Sequence, residues 1–312
     1  MDGQGSIAPG TRVGVLLGGM SAERAISTKS GHAVAGALAR RGWDVVEVDV
    51  GPDLPERLRA ERVEAAWIAL HGRFGEDGCV QGLLEVMRIP YTGSGPTASA
   101  VAMDKHLTKR ILEGSGVLLP PHRLWHRGAP LPPDLAYPLV CKTPDGGSTI
   151  GTAICPDASR LEATLEACLA HGERILLESY VTGDEITVAM LDGSPLPVVA
   201  IRPESGFFDF EAKYTQGRTR YVVPADVPDD VARVAQEAAT SAFRTLGLSG
   251  VARADFIADA QGRPWFLEVN TVPGMTETSL SPMAAAAVGI SFDDLVERVL
   301  LGARLHRAVQ AP

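Results

Sequence analysis

The chain is poor in cysteine and in positive charge, and both shortages exclude classes of protein. Its 312 residues include four cysteines, none in a CxxC pair or beside a histidine in a zinc-binding pattern: Cys79, Cys141, Cys155 and Cys168. Cysteines so distributed predict reduced core residues of a cytosolic protein, not a disulfide framework or a zinc site. The net charge of −9 argues against nucleic acid or an anionic membrane as the main partner, because both need a basic surface.

Long apolar runs are missing as well. The closest approach to one, residues 284–290, is too short to span a membrane. Residues 1–6 show no basic region followed by an apolar one, so we expect no signal peptide. These features predict a cytoplasmic protein. A content of 45% hydrophobic and 21% charged residues is ordinary for a soluble enzyme of two or three packed lobes.

The first part of the chain alternates strand-like and helix-like runs. Apolar, β-branched runs predict strands at residues 12–17, 44–50 and 65–70, and helical periodicity predicts helices at 21–40 and 78–87. This βαβ alternation predicts a parallel sheet covered by helices, and therefore an α/β fold.

The remainder mixes strands and helices without strict alternation. In chain order we predict a helix at 97–113, a Pro-rich connector at 120–133, strands at 137–142, 152–155 and 174–179 around a helix at 158–171, two more strands, a loop near 204–220, a helix at 229–246, a β-hairpin, and a final helix from about Phe292. This is an α+β arrangement. We place three domains at residues 1–95, 96–181 and 182–312, although no linker composition marks their boundaries.

The most informative stretch is the predicted hairpin, with strands at residues 250–257 and 265–269 joined by a polar turn. Pairing of these strands brings four polar side chains together: Arg253, Asp255, Glu268 and Asn270. Such a density of oxygen ligands, with no histidine or cysteine beside them, suits Mg²⁺, which usually binds through one or two carboxylates plus substrate phosphates. The hairpin therefore predicts a nucleotide–metal site.

A glycine-rich loop, residues 146–151, follows a predicted strand that ends at Lys142. Glycines let backbone N–H groups approach phosphate oxygens, and the Ser and Thr of this loop add hydroxyl donors. The loop is not a Walker A motif, because GxxxxGK[ST] is absent. The alternative is a flexible turn, but the nearby lysine favours phosphate binding.

A second glycine pattern, GxGxxA at residues 93–98, is the weak form of the dinucleotide-binding motif. Pro96 interrupts this loop, and the acid about twenty residues on, Glu113, lies within a helical run. The motif requires that acid at the end of a second strand. The pattern therefore disfavours a dehydrogenase.

Three further positions each carry two interpretations. Glu23 begins a helix after a glycine turn, where it either caps the helix or projects into a cleft to hold a cationic substrate group. His71 lies in the loop 71–78 just after a strand, where α/β proteins place ligands, although a lone histidine is usually structural. Lys213 and Tyr214 lie in a long loop, which is either a lid or a surface connector.

Taken together, these motifs resemble the D-alanine–D-alanine ligase family of the ATP-grasp superfamily over nearly the whole chain. The segments that carry the resemblance are LGGMSAER at 17–24, HGRFGEDG at 71–78, YTGSG at 91–95, MDK at 103–105, GS at 147–148, EAKY at 211–214, EVNTVPGMT at 268–276 and SL at 279–280. Each is only moderately specific, whereas their order and spacing are highly specific. The resemblance implies a three-lobed ATP-grasp fold with an N-terminal parallel-sheet domain, and ATP held between the central and C-terminal sheets.

The resemblance also implies a set of site residues. Those matching its ligands for two Mg²⁺ ions, with Mn²⁺ as a substitute, are Asp255, Glu268 and Asn270. Those matching its ATP contacts are Lys105, Lys142, Glu178, Val181, Glu185 and Lys213. Those matching its catalytic groups are Glu23 for the first ammonium, Arg253 and the Gly274 N–H for the oxyanion, Ser148 and Tyr214 for a hydrogen-bonded set with Glu23, and Ser279 for the second carboxylate. Leu280 and His71 match contacts to the second substrate.

The implied reaction joins two D-alanines through an acyl phosphate, for peptidoglycan precursor synthesis, in a homodimer. This chain departs from the family pattern at Thr143, Phe74 and Ser179, which leaves the geometry of nucleotide binding and loop closure open. The alternative is an ATP-grasp ligase of another amino-acid or depsipeptide substrate. A non-catalytic nucleotide-binding protein is disfavoured, because a mere binder has no need of Arg253. The EAKY segment favours an amine as the second nucleophile.

Overall fold

The computed structural model describes residues 7–147, 150–203 and 219–306, and this part of the chain is organised around three β-sheets. Ser148, Lys213 and Tyr214, three of the predicted site residues, lie outside the described residues. No helix in the described ranges is long and apolar enough to cross a membrane.

The N-terminal sheet is parallel, as the βαβ alternation predicts. Its strands are β1 (Arg12–Leu17), β2 (Asp44–Asp49) and β3 (Ala65–Ile68), in the order β2-β1-β3. Its helices are α1 (Arg24–Arg40), α2 (Leu54–Ala60) and α3 (Cys79–Met87). The central strand β1 is buried in five of its six residues, which explains its nearly continuous apolar sequence.

The central sheet is antiparallel, in the order β4-β7-β5-β6. Its strands are β4 (His122–His126), β5 (Leu139–Lys142), β6 (Thr152–Cys155) and β7 (Arg174–Ser179). The helices of this region are α4 (Pro96–Met103), α5 (Lys105–Leu112) and α6 (Leu161–Leu169), the last preceded by a 3₁₀ turn at Ala158–Arg160.

Two predictions for this region are wrong. The single helix at 97–113 is two helices, because Asp104 is extended (φ −91°, ψ 104°) and its side chain accepts the N–H groups of His106 and Leu107 as the cap of α5. The apolar periodicity runs through this break and hides it. The Pro-rich connector contains β4, whose five residues include no proline, because the prolines of this stretch lie before His122 and after His126.

The cysteine prediction needs one correction. Cys141, Cys155 and Cys168 are buried thiols, and burial raises the pKa of Cys141 to about 12. Cys79, the first residue of α3, is exposed.

The C-terminal sheet is antiparallel, in the order β11-β10-β8-β12-β13, with β9 paired to β8. Its elements are β8 (Asp184–Leu191), β9 (Ser194–Pro195), β10 (Val199–Pro203), β11 (Thr219–Val222), α7 (Asp229–Thr245), β12 (Val251–Ala258), β13 (Pro264–Asn270), α8 (Leu280–Ala286) and α9 (Phe292–Leu301). The described chain thus has four strands between β7 and α7, where we predicted two. The predicted hairpin is β12–β13, confirmed to within a residue or so at each end.

The lobes share apolar cores. Val15 and Leu38 of the N-terminal lobe pack in one cluster with Leu191 and Val299, and a second cluster joins Ala102 of α4 to the C-terminal sheet. Apolar packing therefore joins the N-terminal lobe and α4 to the C-terminal lobe. The boundaries at 95/96 and 181/182 stay predictions.

Candidate active site

One face of the C-terminal sheet is polar. In the register of the sheet Arg253 lies opposite Asn270, Asp255 opposite Glu268, and Thr187 opposite Asp255. Residues two apart on a strand, and residues directly opposite on its neighbour, project from the same face. The structure therefore brings the four predicted hairpin residues together, whereas the alternate residues of these strands face the core.

Asp255 is the most enclosed of the four. It is 5% exposed, and Arg253 grips it through two parallel bonds, Nε to Oδ1 at 2.8 Å and Nη2 to Oδ2 at 2.9 Å. The Thr187 hydroxyl donates to the same Oδ1 at 2.5 Å. A fork of this kind fixes the planes of both groups.

Lys105 reaches the same face from α5. Its Nζ lies 2.9 Å from Oε2 of Glu268 and donates to the carbonyl of Gly146 at 2.5 Å. Burial alone would lower the pKa of this ammonium, but the charges of Glu268, Glu178 and Glu76 outweigh burial and raise it. Lys105 therefore pairs with Glu268, is influenced by the charges of Glu178 and Glu76, and contacts the glycine-rich loop through Gly146.

The donor set at this face fits a magnesium ion. Oδ1 of Asn270 is buried without a hydrogen-bond partner among the residues that the structure describes, and it lies on the same sheet face as the Asp255 and Glu268 carboxylates. No group of three His, Cys, Asp or Glu in the described chain is arranged to hold a metal by itself. Two carboxylates and an amide oxygen leave coordination positions for phosphate oxygens, as is usual for Mg²⁺.

Behind Lys105 lies a second, fully buried charge cluster. Glu178 contacts Nζ of Lys142 at 2.6 Å and Nζ of Lys109 at 3.0 Å, and Lys109 also donates to the Phe266 carbonyl at 2.9 Å. Burial by itself would raise the pKa of Glu178, but the charges of Lys109 and Lys142 outweigh burial, so the pKa of Glu178 is lowered. Burial lowers the pKa of Lys109 to about 8. Lys109 was missed, although its spacing of four from Lys105 on a helix indicates a shared face.

Glu23 lies at the start of α1. It is the residue before α1, but within the described chain its side chain forms no capping hydrogen bond, which disfavours capping by hydrogen bonding; its role at the substrate stays a prediction. A Cβ added at Gly72 or Gly147 would lie 2.7 or 3.0 Å from Oε2 of Glu23. The carboxylate thus lies between the loop 71–78 and the glycine-rich loop.

The loop 71–78 supplies two more titratable groups. His71 is buried, and burial lowers its pKa to about 4, so its imidazole is neutral at neutral pH. Glu76 accepts the N–H of Gly72 at 2.5 Å and that of Val272. Although part of its side chain touches solvent, burial of the carboxyl and the charge of Glu23 raise its pKa to about 8. Glu76 was not predicted, although it stands within the HGRFGEDG segment.

Gly274 and Ser279 lie side by side beyond the hairpin. The Ser279 Oγ accepts the N–H of Thr276 at 3.1 Å, and a Cβ on Gly274 would lie 3.1 Å from that oxygen. Ser279 precedes α8, and Leu280, its first residue, is buried. The backbone of Gly274 is therefore adjacent to the predicted carboxylate-binding hydroxyl.

Two predicted nucleotide contacts lie at the entry to β8. Glu185 is two residues before Thr187 and so shares the polar sheet face, whereas Val181 is half-buried in the link between β7 and β8. Both stay predictions.

The GxGxxA turn has a structural role. Pro96 is the first residue of α4, the Ser94 hydroxyl accepts the N–H of Ser249 at 3.1 Å, and a Cβ on Gly250 would lie 3.1 Å from the Cα of Gly93. The turn packs against the chain entering β12, which disfavours a dinucleotide there.

The departures from the family pattern leave the charged groups in place. Phe74 has φ +66°, in the left-handed region that favours glycine, which is the residue common at this position in the family. Thr143 is buried, and a Cβ on Gly146 would lie 2.2 Å from its Oγ1. Ser179 ends β7.

Comparison with known proteins agrees with this geometry. The family model described as D-ala D-ala ligase C-terminus matches residues 129–301, and that described as D-ala D-ala ligase N-terminus matches residues 52–94. The D-alanine–D-alanine ligase of Syntrophotalea carbinolica is 48% identical over 297 residues, covering 95% of this chain and 97% of that protein. The ligase of the same name from Anaeromyxobacter sp. (strain Fw109-5) is 49% identical, covering 95% and 98%.

Solved structures show the same likeness. The D-alanine–D-alanine ligase from Bacillus anthracis complexed with ATP superposes with a TM-score of 0.83 at 32% identity, covering 94% of this chain and 97% of that one. The VanG D-Ala:D-Ser ligase from Enterococcus faecalis has a TM-score of 0.80 at 25% identity, covering 93% and 98%. This chain belongs to the D-alanine–D-alanine ligase family and has its ATP-grasp fold.

Proposed function

We propose that this protein joins two D-alanines to D-alanyl-D-alanine and converts ATP to ADP and phosphate, acting in the cytoplasm as a homodimer to supply peptidoglycan precursors. The observation that carries the proposal is the polar sheet face, where Arg253, Asp255, Glu268 and Asn270 converge beneath Lys105. Its relatives of about half-identical sequence are named for this reaction.

In the first half of the reaction, a carboxylate oxygen of the first D-alanine attacks the γ-phosphorus of ATP. The bond from that phosphorus to the bridging oxygen of ADP breaks, and an acyl phosphate forms. Lys105 and Lys142 neutralise phosphate oxygens from the α5 and β5 sides. Mg²⁺, when held by Asp255, Glu268 and Asn270, supplies charge neutralisation for the moving phosphoryl group.

The charges now paired at the face would be redistributed by the nucleotide. Lys105 pairs with Glu268 and Arg253 with Asp255, so this set is balanced as it stands. When ATP binds, its phosphate oxygens become new partners for Lys105 and Arg253. Glu268 and Asp255 then lose their ion pairs and are free to bind the metal. The ion pairs thus hold both sets of groups in place before substrate arrives.

In the second half, the amine of the second D-alanine attacks the acyl carbon, gives up a proton, and phosphate leaves. Arg253 and the Gly274 N–H stabilise the tetrahedral oxyanion; donors prepositioned in this way contribute about 3–4 kcal/mol each in other enzymes. Glu23 holds the first ammonium, and Ser148 and Tyr214 complete its hydrogen-bonded set. Ser279 and Leu280 hold the second carboxylate, next to His71.

A second candidate is ligation of D-alanine to a different second substrate. It is favoured by one observation, the likeness to a D-Ala:D-Ser ligase that shares the fold at a TM-score of 0.80. The fold therefore does not choose the second substrate. That choice depends on the side chains near Ser279 and His71.

The test is phosphate release by the purified protein with Mg-ATP, with products identified by mass. The substrates are D-alanine, L-alanine, and D-alanine mixed with D-serine or D-lactate. We expect release with D-alanine alone, together with D-alanyl-D-alanine. Release only with a mixture would favour the second candidate. Absence of release under every condition, despite ATP binding, would contradict both.

A further inference from the structure

The turn at residues 271–275, which follows β13 and carries Gly274, is held by side chains of the N-terminal lobe. Glu76 accepts the N–H of Val272, and the imidazole of His71 hydrogen-bonds the backbone of the same residue. The Ser30 hydroxyl accepts the N–H of Met275 at 3.3 Å. Three N-terminal side chains therefore set where the oxyanion-binding amide lies.

Ser30 is the least expected of the three. It lies on α1, is 1% exposed, and is separated from Met275 by 245 positions. Its Oγ also lies 3.3 Å from Nε2 of His71. A single buried hydroxyl thus touches both a predicted substrate contact and the residue directly after Gly274.

Within the described chain, the hydroxyl proton of Ser30 has one hydrogen-bond acceptor. A serine hydroxyl carries one donor and two acceptor positions, and here Oγ accepts from the Met275 amide. Buried donors need an acceptor, and within the described chain the acceptor facing this hydroxyl is Nε2 of His71. Nε2 is then unprotonated, which places the ring proton of the neutral His71 on Nδ1.

We propose that Ser30 is a positioning residue whose hydroxyl ties the imidazole of His71 to the backbone of Met275 and so fixes the Gly274 amide relative to the N-terminal lobe. The catalytic consequence rests on the function proposed above. Loss of the hydroxyl frees the ring to change tautomer and frees the turn to shift. The ATP-binding groups lie on other elements and are unaffected.

The chain offers a matched control. Ser27 lies one helical turn before Ser30 on α1, is equally buried, and donates its hydroxyl to the carbonyl of Ala69 at 2.8 Å. Ser27→Ala removes one buried hydroxyl from the same helix without touching His71 or Met275. It measures what the loss of any such hydroxyl does to the lobe.

The first measurement is the tautomer of His71, from long-range ¹H–¹⁵N spectra of histidine-labelled protein. His71→Gln assigns the signal among the seven histidines. We expect an unprotonated Nε2 in the wild type and in Ser27→Ala, and altered ring shifts in Ser30→Ala. A protonated Nε2 in the wild type, or unchanged shifts in Ser30→Ala, would overturn the proposal. The wild-type spectrum decides even where the variant folds poorly.

The second measurement is dipeptide synthesis at saturating ATP. We expect Ser30→Ala to lower kcat and kcat/KM for the second D-alanine about 10-fold, the size of one lost hydrogen bond, because the contact of a displaced Gly274 amide is lost in the transition state; the KM for ATP should be unchanged. Ser27→Ala should match the wild type. Equal kinetics in the two variants would contradict a positioning role. Absence of dipeptide synthesis by the wild type would instead contradict the proposed function, while the ring spectrum would still decide the role of Ser30.

Discussion

Helix α5 contributes a lysine to each of two groups of ion pairs, and the two groups differ in how far they are exposed to solvent. The hairpin set pairs Lys105 with Glu268, whose side chains are 11% and 30% exposed. The interior set pairs Lys109 with Glu178, whose side chains are 0% and 3% exposed. One helix turn therefore separates a partly exposed ion pair from a buried one.

The difference in charge balance points the same way. The hairpin set has two cations and two carboxylates, plus the amide oxygen of Asn270 that still lacks a partner in the described chain. It can exchange partners when phosphate and metal arrive. The interior set has Lys109 and Lys142 around Glu178 alone, leaving one positive charge in excess. That set keeps an excess positive charge beside β13, where Lys109 donates to the Phe266 carbonyl.

The largest expected effect is on the hairpin set. Glu268→Gln keeps the shape of the side chain but removes a carboxylate from the predicted metal site. We expect kcat/KM for ATP to fall about 10³-fold, because metal stabilisation of transferring phosphoryl charge contributes several kcal/mol. The midpoint of thermal unfolding in the absence of ligand should change little.

Asp259→Asn is the control, since Asp259 is on the same hairpin but binds Arg263 and Trp265 in its turn. It should lower stability and leave kcat/KM unchanged. A Glu268→Gln enzyme with wild-type turnover and Mg²⁺ dependence would remove Glu268 from the metal site.

The second prediction separates the two lysines. Lys109→Met should lower the free energy of unfolding by about 3 kcal/mol, the low end for breaking a buried pair, because Lys142 still partners Glu178. Lys105→Met should change stability by only about 1 kcal/mol, as for a single hydrogen bond. Its kcat/KM for ATP should fall about 100-fold, since a preorganised phosphate contact is lost.

Denaturant unfolding and steady-state kinetics on both variants give the comparison. Lys109→Met should lose more stability than Lys105→Met, whereas Lys105→Met should lose more activity than Lys109→Met. If both variants lose stability and activity in parallel, the hairpin set and the interior set do not have the different roles described above.

The residues of the hairpin set were easier to predict from the sequence than those of the interior set, for a physical reason. Arg253, Asp255, Glu268 and Asn270 come from one hairpin, so alternation along two adjacent strands places them on one face. Lys109, Glu178 and Lys142 come from three separate elements. Their meeting depends on how α5 packs on the central sheet, which no local pattern records.

The same distinction governs the fold. β1, β6, β7 and the hairpin were predicted to within a residue or so, because apolar runs are local. The break at Asp104 was missed, since one capping carboxylate does not disturb hydrophobic periodicity. Ser30 was missed for a stronger reason: its partners are 41 and 245 positions away.

The smallest expected effect is a difference in pH dependence between the two lysines. Burial lowers the pKa of Lys109 to about 8, below the ordinary value of 10.5, so between these pH values the unfolded chain binds more protons than the folded one at this position. The contribution of Lys109 to stability therefore rises as pH increases from about 8 to 10.5. The pKa of Lys105 is raised, so its contribution stays constant over that range and is lost only above it. Unfolding midpoints from pH 7 to 10.5 should show the gap between wild type and Lys109→Met widening with pH, while the gap to Lys105→Met stays constant. Parallel curves for all three proteins would mean that Lys109 keeps its proton throughout, and that the buried pair is held as firmly as the exposed one.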